Sequence, residues 1–144
     1  LVTAGADGKV ALWDAQTGRE IASKSGLGDS LLHLAVRPTM VALTAGDAVI
    51  LYDAATLAEI RRIGFSLPSS SAFSPDGRQL AIGLGGPSPV VIVTIEGKTV
   101  QMLEFDRTWR FGSGGPRVVF AGDCLVAAHP TGRLLIYPPV AKKK

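Results

Sequence analysis

Three side chains in this sequence are soft enough to hold a transition metal, Cys124, His33 and His129, and none stands at a spacing that joins it to another ligand. No metal centre is expected from them. His129 precedes Pro130 in what reads as a turn between strands, and no nucleophile lies beside it in the chain. A surface or turn-stabilising role is therefore expected of it rather than catalysis. The glycine clusters Gly83-Leu84-Gly85-Gly86 and Gly112-Ser113-Gly114-Gly115 superficially resemble phosphate cradles. Neither leads into Lys-Ser/Thr or into a helix, the parts that would supply charge and aligned amides, so turn flexibility is the expected use of both. Asp7, Asp14, Asp53 and Asp76 fall in turns, where a carboxylate bonds local backbone amides. Ser74-Pro75 and Ser88-Pro89 have the form of acceptors for proline-directed kinases, but turn chemistry accounts for both. No catalytic residue and no cofactor is expected.

The elements that carry these residues are short apolar runs in a repeating order. KVALWDAQTG at Lys9 to Gly18 is echoed by AVILYDAAT at Ala48 to Thr56, VVIVTIEG at Val90 to Gly97 and RLLIYPP at Arg133 to Pro139. By their spacing, Trp13, Tyr52, Thr94 and Tyr137 share one slot, at intervals of 39, 42 and 43 residues. Ahead of each copy lies LVTAG, MVALTAG, QLAIGLGG or CLVAA, and ahead of the last three of these lies LLHLAVRP, SSSAFSPDG or RVVFAGD. Runs of five to eight residues closed by Gly, Pro or Asp are strands. Asp7-Gly8 and Asp76-Gly77 supply tight turns, while Pro38, Pro75 and Pro130 end strands by removing a ladder donor. Each unit is then an antiparallel meander. Runs such as Val49-Ile50-Leu51 are apolar at successive positions, which predicts sheets buried on both faces and so stacked on neighbours.

AGADGKVALWDAQTG, Ala4 to Gly18, resembles the WD-repeat signature, in which a turn Asp-Gly leads into a strand ending in Trp-Asp. AGDAVILYDAAT resembles it with a shorter turn and Tyr52 for Trp, and SAFSPDGRQLAIG at Ser71 to Gly83 resembles the family's first-to-second strand segment. The Gly-His pair before the first strand is missing from every unit, and Ile95 and Pro138 stand where Asp14 and Asp53 do. The blades are read as degenerate ones, without the His-to-Asp hydrogen-bond network of an ideal repeat. The resemblance implies an all-β β-propeller of four-stranded antiparallel blades. A quinoprotein-type propeller is the nearest alternative within that architecture, and no cofactor site for it is visible in the sequence.

About three and a half blades fit the length, with units at about 1–25, 31–66, 69–105 and 117–139 and a basic tail at 140–144. Propellers typically use about 4 to 8 blades. Residues 1–144 are therefore expected to be a partial propeller, completed by further blades of the same chain or of another. The sequence has one cysteine and no Asn, so neither a disulfide framework nor an N-glycosylation sequon is available. No apolar run approaches the roughly 18 residues of a membrane-spanning helix. An intracellular, cytoplasmic protein without membrane insertion is expected, with a cytoskeletal, ciliary or nuclear assembly as further settings.

The longest insertion, DRTWRFGSGGP at Asp106 to Pro116, separates two units. By the resemblance it lies on one rim of the disc, with Ala6 to Gly8, Gly26 to Ser30, Gly85 to Pro89 and His129 to Gly132 on the same side. Arg107, Trp109, Arg110 and Phe111 are the candidate partner-binding residues, since Trp and Arg dominate interface energetics. Trp109 and Phe111 would alternatively pin the loop over a blade. The expected function is a non-enzymatic scaffold that docks other proteins of a large complex. The alternative is a nucleic-acid-associated propeller in which Arg61, Arg62, Arg107, Arg110, Arg117 and Lys142 to Lys144 neutralise phosphates. The formal charge of +3 favours that only mildly.

Overall fold

The computed structural model describes residues 1–27, 31–85, 90–103, 115–129 and 132–138, with the side chains of residues 31 and 32 left aside. Candidate residues Arg107, Trp109, Arg110 and Phe111, along with Ser88, Pro130 and the lysine tail, lie outside these. No helix occurs among the described residues, and none is long and apolar enough to cross a membrane.

Among the described residues, fourteen strands form four antiparallel sheets, each a meander of consecutive strands. Sheet 1 holds β1 (Val2–Ala4), β2 (Val10–Trp13) and β3 (Glu20–Lys24). Sheet 2 holds β4 (Leu31–Arg37), β5 (Met40–Ala45), β6 (Ala48–Asp53) and β7 (Glu59–Gly64). Sheet 3 holds β8 (Pro68–Phe73), β9 (Gln79–Leu84), β10 (Val90–Thr94) and β11 (Thr99–Leu103). Sheet 4 holds β12 (Arg117–Ala121), β13 (Cys124–Ala128) and β14 (Leu134–Tyr137). These are propeller blades, and the fold is a partial β-propeller. The chain divides into two compact units, Leu1–Pro68 and Ser69–Lys144.

The Asp-Gly dipeptides work as their composition predicts: Gly8 and Gly77 adopt φ of 71° and 67°, the left-handed region that glycine enters without a steric penalty. Strand β6 is buried along nearly its whole length, and so is β10, as their unbroken apolar runs predict. In the first unit, Val10 and Leu12 of sheet 1 pack against Val41, Leu43, Ile50 and Tyr52 of sheet 2. In the second, Ala81, Val90 and Ile92 of sheet 3 pack against Val118, Leu125 and Ala127 of sheet 4, with Leu135 and Tyr137 beside them.

Register corrects one alignment. In each of the first three sheets the strand beside the last one (β2, β6 and β10) breaks pairing with that outer neighbour at the same point, between Leu12 and Trp13, Leu51 and Tyr52, and Ile92 and Val93. The next residue opens the turn: Asp14 N donates to Arg19 O, Asp53 N to Ala58 O and Thr94 N to Lys98 O. Val93, not Thr94, therefore matches Trp13 and Tyr52, and Thr94 stands in the aspartate slot. The third turn is one residue shorter, and that displaces an alignment made on sequence spacing. Tyr137 keeps its slot, because it pairs with Leu125 as Tyr52 pairs with Val41.

Candidate functional site

A meander has two ends. With β1, β2 and β3 matched to the second, third and fourth strands of sheets 2 and 3, one end carries the turns joining first to second and third to fourth strands, and the other the second-to-third turns and the connections between sheets.

At the first end, aspartates organise the backbone. Asp14 Oδ1 accepts from Gln16 N and Thr17 N, both at 2.8 Å. Asp53 Oδ1 accepts from Ala55 N (3.0 Å), Thr56 N (2.9 Å) and the Thr56 hydroxyl (2.8 Å). Backbone donors, Thr17 first, hold the Asp14 carboxyl below its ordinary pKa, and the Thr56 hydroxyl leads the same effect at Asp53. Asp76 Oδ1 accepts from Arg78 N (3.1 Å) and the Ser74 hydroxyl (2.7 Å), while Ser74 Oγ also accepts from Gln79 N (3.0 Å). Ser74 is buried, so turn chemistry is its evident employment. With Asp7 Oδ1 accepting from Lys9 N at the other end, all four aspartates bond local backbone amides, as expected.

The fifth position of the third-to-fourth turn shows what lies beneath it. Gly18 occupies it in sheet 1 with φ 70°, and Leu57 occupies it in sheet 2 with φ 55°. Leu57 is 1% exposed and belongs to the core of the first unit. Its burial offsets a backbone conformation that costs a non-glycine residue about 1–3 kcal/mol.

At the second end, connections are pinned to turns. Leu27 N donates to Gly8 O (3.2 Å), which brings the segment after β3 onto the Asp7-Gly8 turn. Phe65 N donates to Asp47 O (2.8 Å) in the same way in sheet 2. Two residues on, Leu67 adopts φ 53° while 68% exposed. No local sequence signal beyond a leucine between Ser66 and Pro68 marks it, and the sequence reading missed it. His129 closes the turn after β13, donating to Arg133 O and accepting from Gly132 N, both at 2.9 Å. That matches the turn role expected of it, but its ring is buried rather than on the surface.

The long insertion is visible at its exit. Pro116 O accepts from the hydroxyls of Ser69 (2.9 Å) and Ser70 (2.7 Å), Ser70 Oγ accepts from Val118 N (3.2 Å), and Arg117 donates to Ser69 O (3.2 Å). Gly83 and Gly115 explain this clasp. A Cβ at Gly83 would run into the Pro116 carbonyl and the Ser70 hydroxyl, and one at Gly115 into the Ser69 hydroxyl and the Leu84 backbone. Turn flexibility does not describe these two members of the glycine clusters: they permit close approach of two sheets. Cys124 is half-buried, and the described residues hold no group of three or more His, Cys, Asp or Glu able to bind a metal.

No protein-family model matches the chain. Solved structures do match. One is the crystal structure of a mitotic checkpoint complex, with a TM-score of 0.77 and 17% identity over 95% of this chain and 44% of that one. Another is the structure of U3-55K, with a TM-score of 0.72 and 16% identity over 95% and 47%. A third is the crystal structure of the computationally designed Ika8 protein, with a TM-score of 0.75 and 20% identity over 95% and 42%. These are WD40-type propeller proteins, and the likeness to them is one of fold. This chain spans less than half the length of each.

Proposed function

We propose that this chain is a WD-type propeller segment that serves as a non-enzymatic scaffold, docking other proteins within a larger intracellular assembly. The observation that carries the reading is the clasp at Pro116. It fixes the exit of the long connection on a rigid sheet, the arrangement in which loops carry binding residues. The presence of one matched propeller in a mitotic checkpoint complex fits the same role. Arg107, Trp109, Arg110 and Phe111 are the proposed contact residues, with Leu67 as an exposed apolar residue in another connection.

A phosphate-binding role draws less support from the arginines. Arg62 is paired with Glu59 at 3.3 Å, and Arg117 is engaged with Ser69 O. The test is affinity capture of the intact parent protein from its native source, with and without nuclease, read by mass spectrometry. A stoichiometric protein set that survives nuclease supports the scaffold, and partners lost with the nucleic acid overturn it. Trp109→Ala with Arg110→Ala is expected to weaken capture while circular dichroism stays unchanged. Full capture by that folded variant removes the loop from the interface.

A further inference from the structure

The charges of the first unit are sorted by end. Among its described residues the ion pairs are Lys9 with Glu20 at 2.8 Å and Arg62 with Glu59 at 3.3 Å. Glu20 opens β3 and Glu59 opens β7, so both acids stand at the first end, beside the turns that Asp14 and Asp53 organise. Lys9 leads into β2 from the second end and reaches toward the first. Lys24 closes β3 at the second end, and its ammonium lies 6.0 Å from the ring centroid of Tyr52, again toward the first. Two carboxylates stay behind. Asp7 and Asp47 are exposed in the second-to-third turns of sheets 1 and 2, and neither belongs to an ion pair among the described residues. The second end of this unit thus presents carboxylates, with its two lysines turned away, in a chain whose formal net charge is +3.

Apolar side chains stand beside these acids. The bond from Leu27 N to Gly8 O seats the connection after β3 on the Asp7-Gly8 turn, and that from Phe65 N to Asp47 O seats the connection after β7 on the Gly46-Asp47 turn. Leu27 and Phe65 are half-buried and tie those connections down. Leu67 is placed differently. Its Cα lies within about 8 Å of that of Phe65, since consecutive Cα atoms are about 3.8 Å apart, yet its side chain is 68% exposed. Its φ of 53° is left-handed, although the following Pro68 favours an extended conformation before it. Leu57 offsets the same kind of strain by burial in the core, whereas Leu67 gains no such burial within the chain. Strain held at an exposed position is the mark of a side chain set for a ligand.

We infer that the second end of the first unit docks a basic, apolar peptide segment of a partner protein. An apolar side chain of that segment packs on Leu67, a lysine or arginine beside it meets Asp47, and Asp7 adds to the attracting field. The sorting of charge selects this occupant, because a nucleic-acid backbone or an acidic peptide would meet like charge there. The inference rests on the scaffold reading and names the chemistry of one partner.

The probe is a display library of short random peptides selected on the full chain. The enriched peptides are expected to place an aliphatic or aromatic residue within a few positions of two or more Lys or Arg. Leu67→Gly is expected to bind them about 10-fold more weakly or worse. Glycine adopts the left-handed backbone freely, so that loss is not a loss of fold. Asp47→Asn is expected to weaken binding about 3-fold, chiefly through slower association, and to flatten its salt dependence. Enrichment of acidic or uncharged peptides, no enrichment at all, or basic peptides that bind Leu67→Gly as tightly as wild type each overturn the inference. The scaffold reading is tested apart by capture from the native source. An undiminished protein set on the chain carrying both Leu67→Gly and Asp47→Asn overturns the inference and leaves the scaffold standing. A wild-type chain that selects basic, apolar peptides yet captures no protein set fails the scaffold reading alone.

Discussion

The seam of the first unit is made by apolar side chains around an aromatic residue, whereas that of the second adds a hydroxyl-to-carbonyl clasp. In the first, Tyr52 is fully buried, its hydroxyl has no hydrogen-bond partner among the described residues, and burial pushes its pKa up. Lys24 lies over its ring, 6.0 Å from the centroid. Trp13, the corresponding residue of sheet 1, finds the Thr3 hydroxyl, but Leu43 stands at the position of Thr3 in sheet 2 and offers no acceptor. Leu57 completes the packing from a left-handed backbone position. In the second unit, Ser69 and Ser70 converge on one carbonyl, and two glycines make room for them. One backbone plan thus tolerates two ways of locking adjacent sheets. The apolar lock depends on volume, and the polar lock depends on the absence of a Cβ.

The comparison breaks most sharply at Leu57. Leu57→Ala is expected to cost about 2–5 kcal/mol in urea unfolding, since it opens a cavity and retains the backbone strain. Leu57→Gly removes that strain and is expected to fall about 1 kcal/mol nearer wild type; equal losses would show that the turn carries no strain.

Gly83→Ala tests the other lock. The added methyl group drives the Pro116 carbonyl away, and a loss of about 1–3 kcal/mol or more is expected by the same measurement. Ser70→Ala leaves the Val118 amide without its acceptor in a buried setting. A loss of about 1–3 kcal/mol is expected. Ser70→Thr, which keeps the hydroxyl, is expected to recover part of it.

A smaller effect comes from the carboxylates. Asp14 and Asp53 both titrate below their ordinary value of 3.8 in the folded chain. A carboxylate of this kind stabilises fully above its unfolded pKa, and the contribution is lost as pH falls through the folded one. Stability is therefore expected to decline in that acid window. Threonine hydroxyls and backbone amides lower both carboxyls, so Asp53→Asn and Asp14→Asn should each blunt the decline; circular dichroism against pH reads the change. The smallest effect is expected at Leu67, whose strain no burial offsets. Leu67→Gly should stabilise the chain by no more than about 1 kcal/mol. If it also weakens partner capture, the exposed leucine belongs to the interface.

Much of this molecule was legible from residue order alone. Apolar runs punctuated by Asp-Gly and Pro state where strands begin and end, and their recurrence states that the sheets repeat. The work of Asp7, Asp14, Asp53 and Asp76 was equally legible, because a turn carboxylate finds its donors within two or three residues. Spacing failed at Thr94, where a turn shortened by one residue was visible only in the pairing. Leu57 and Leu67 look alike in sequence, and burial alone separates them. Gly83 and Gly115 read as loop glycines until folding brought a carbonyl from 33 residues beyond Gly83 against its missing side chain. Local chemistry settles what depends on neighbours in the chain, whereas steric fit and exposure depend on segments that only the fold brings together.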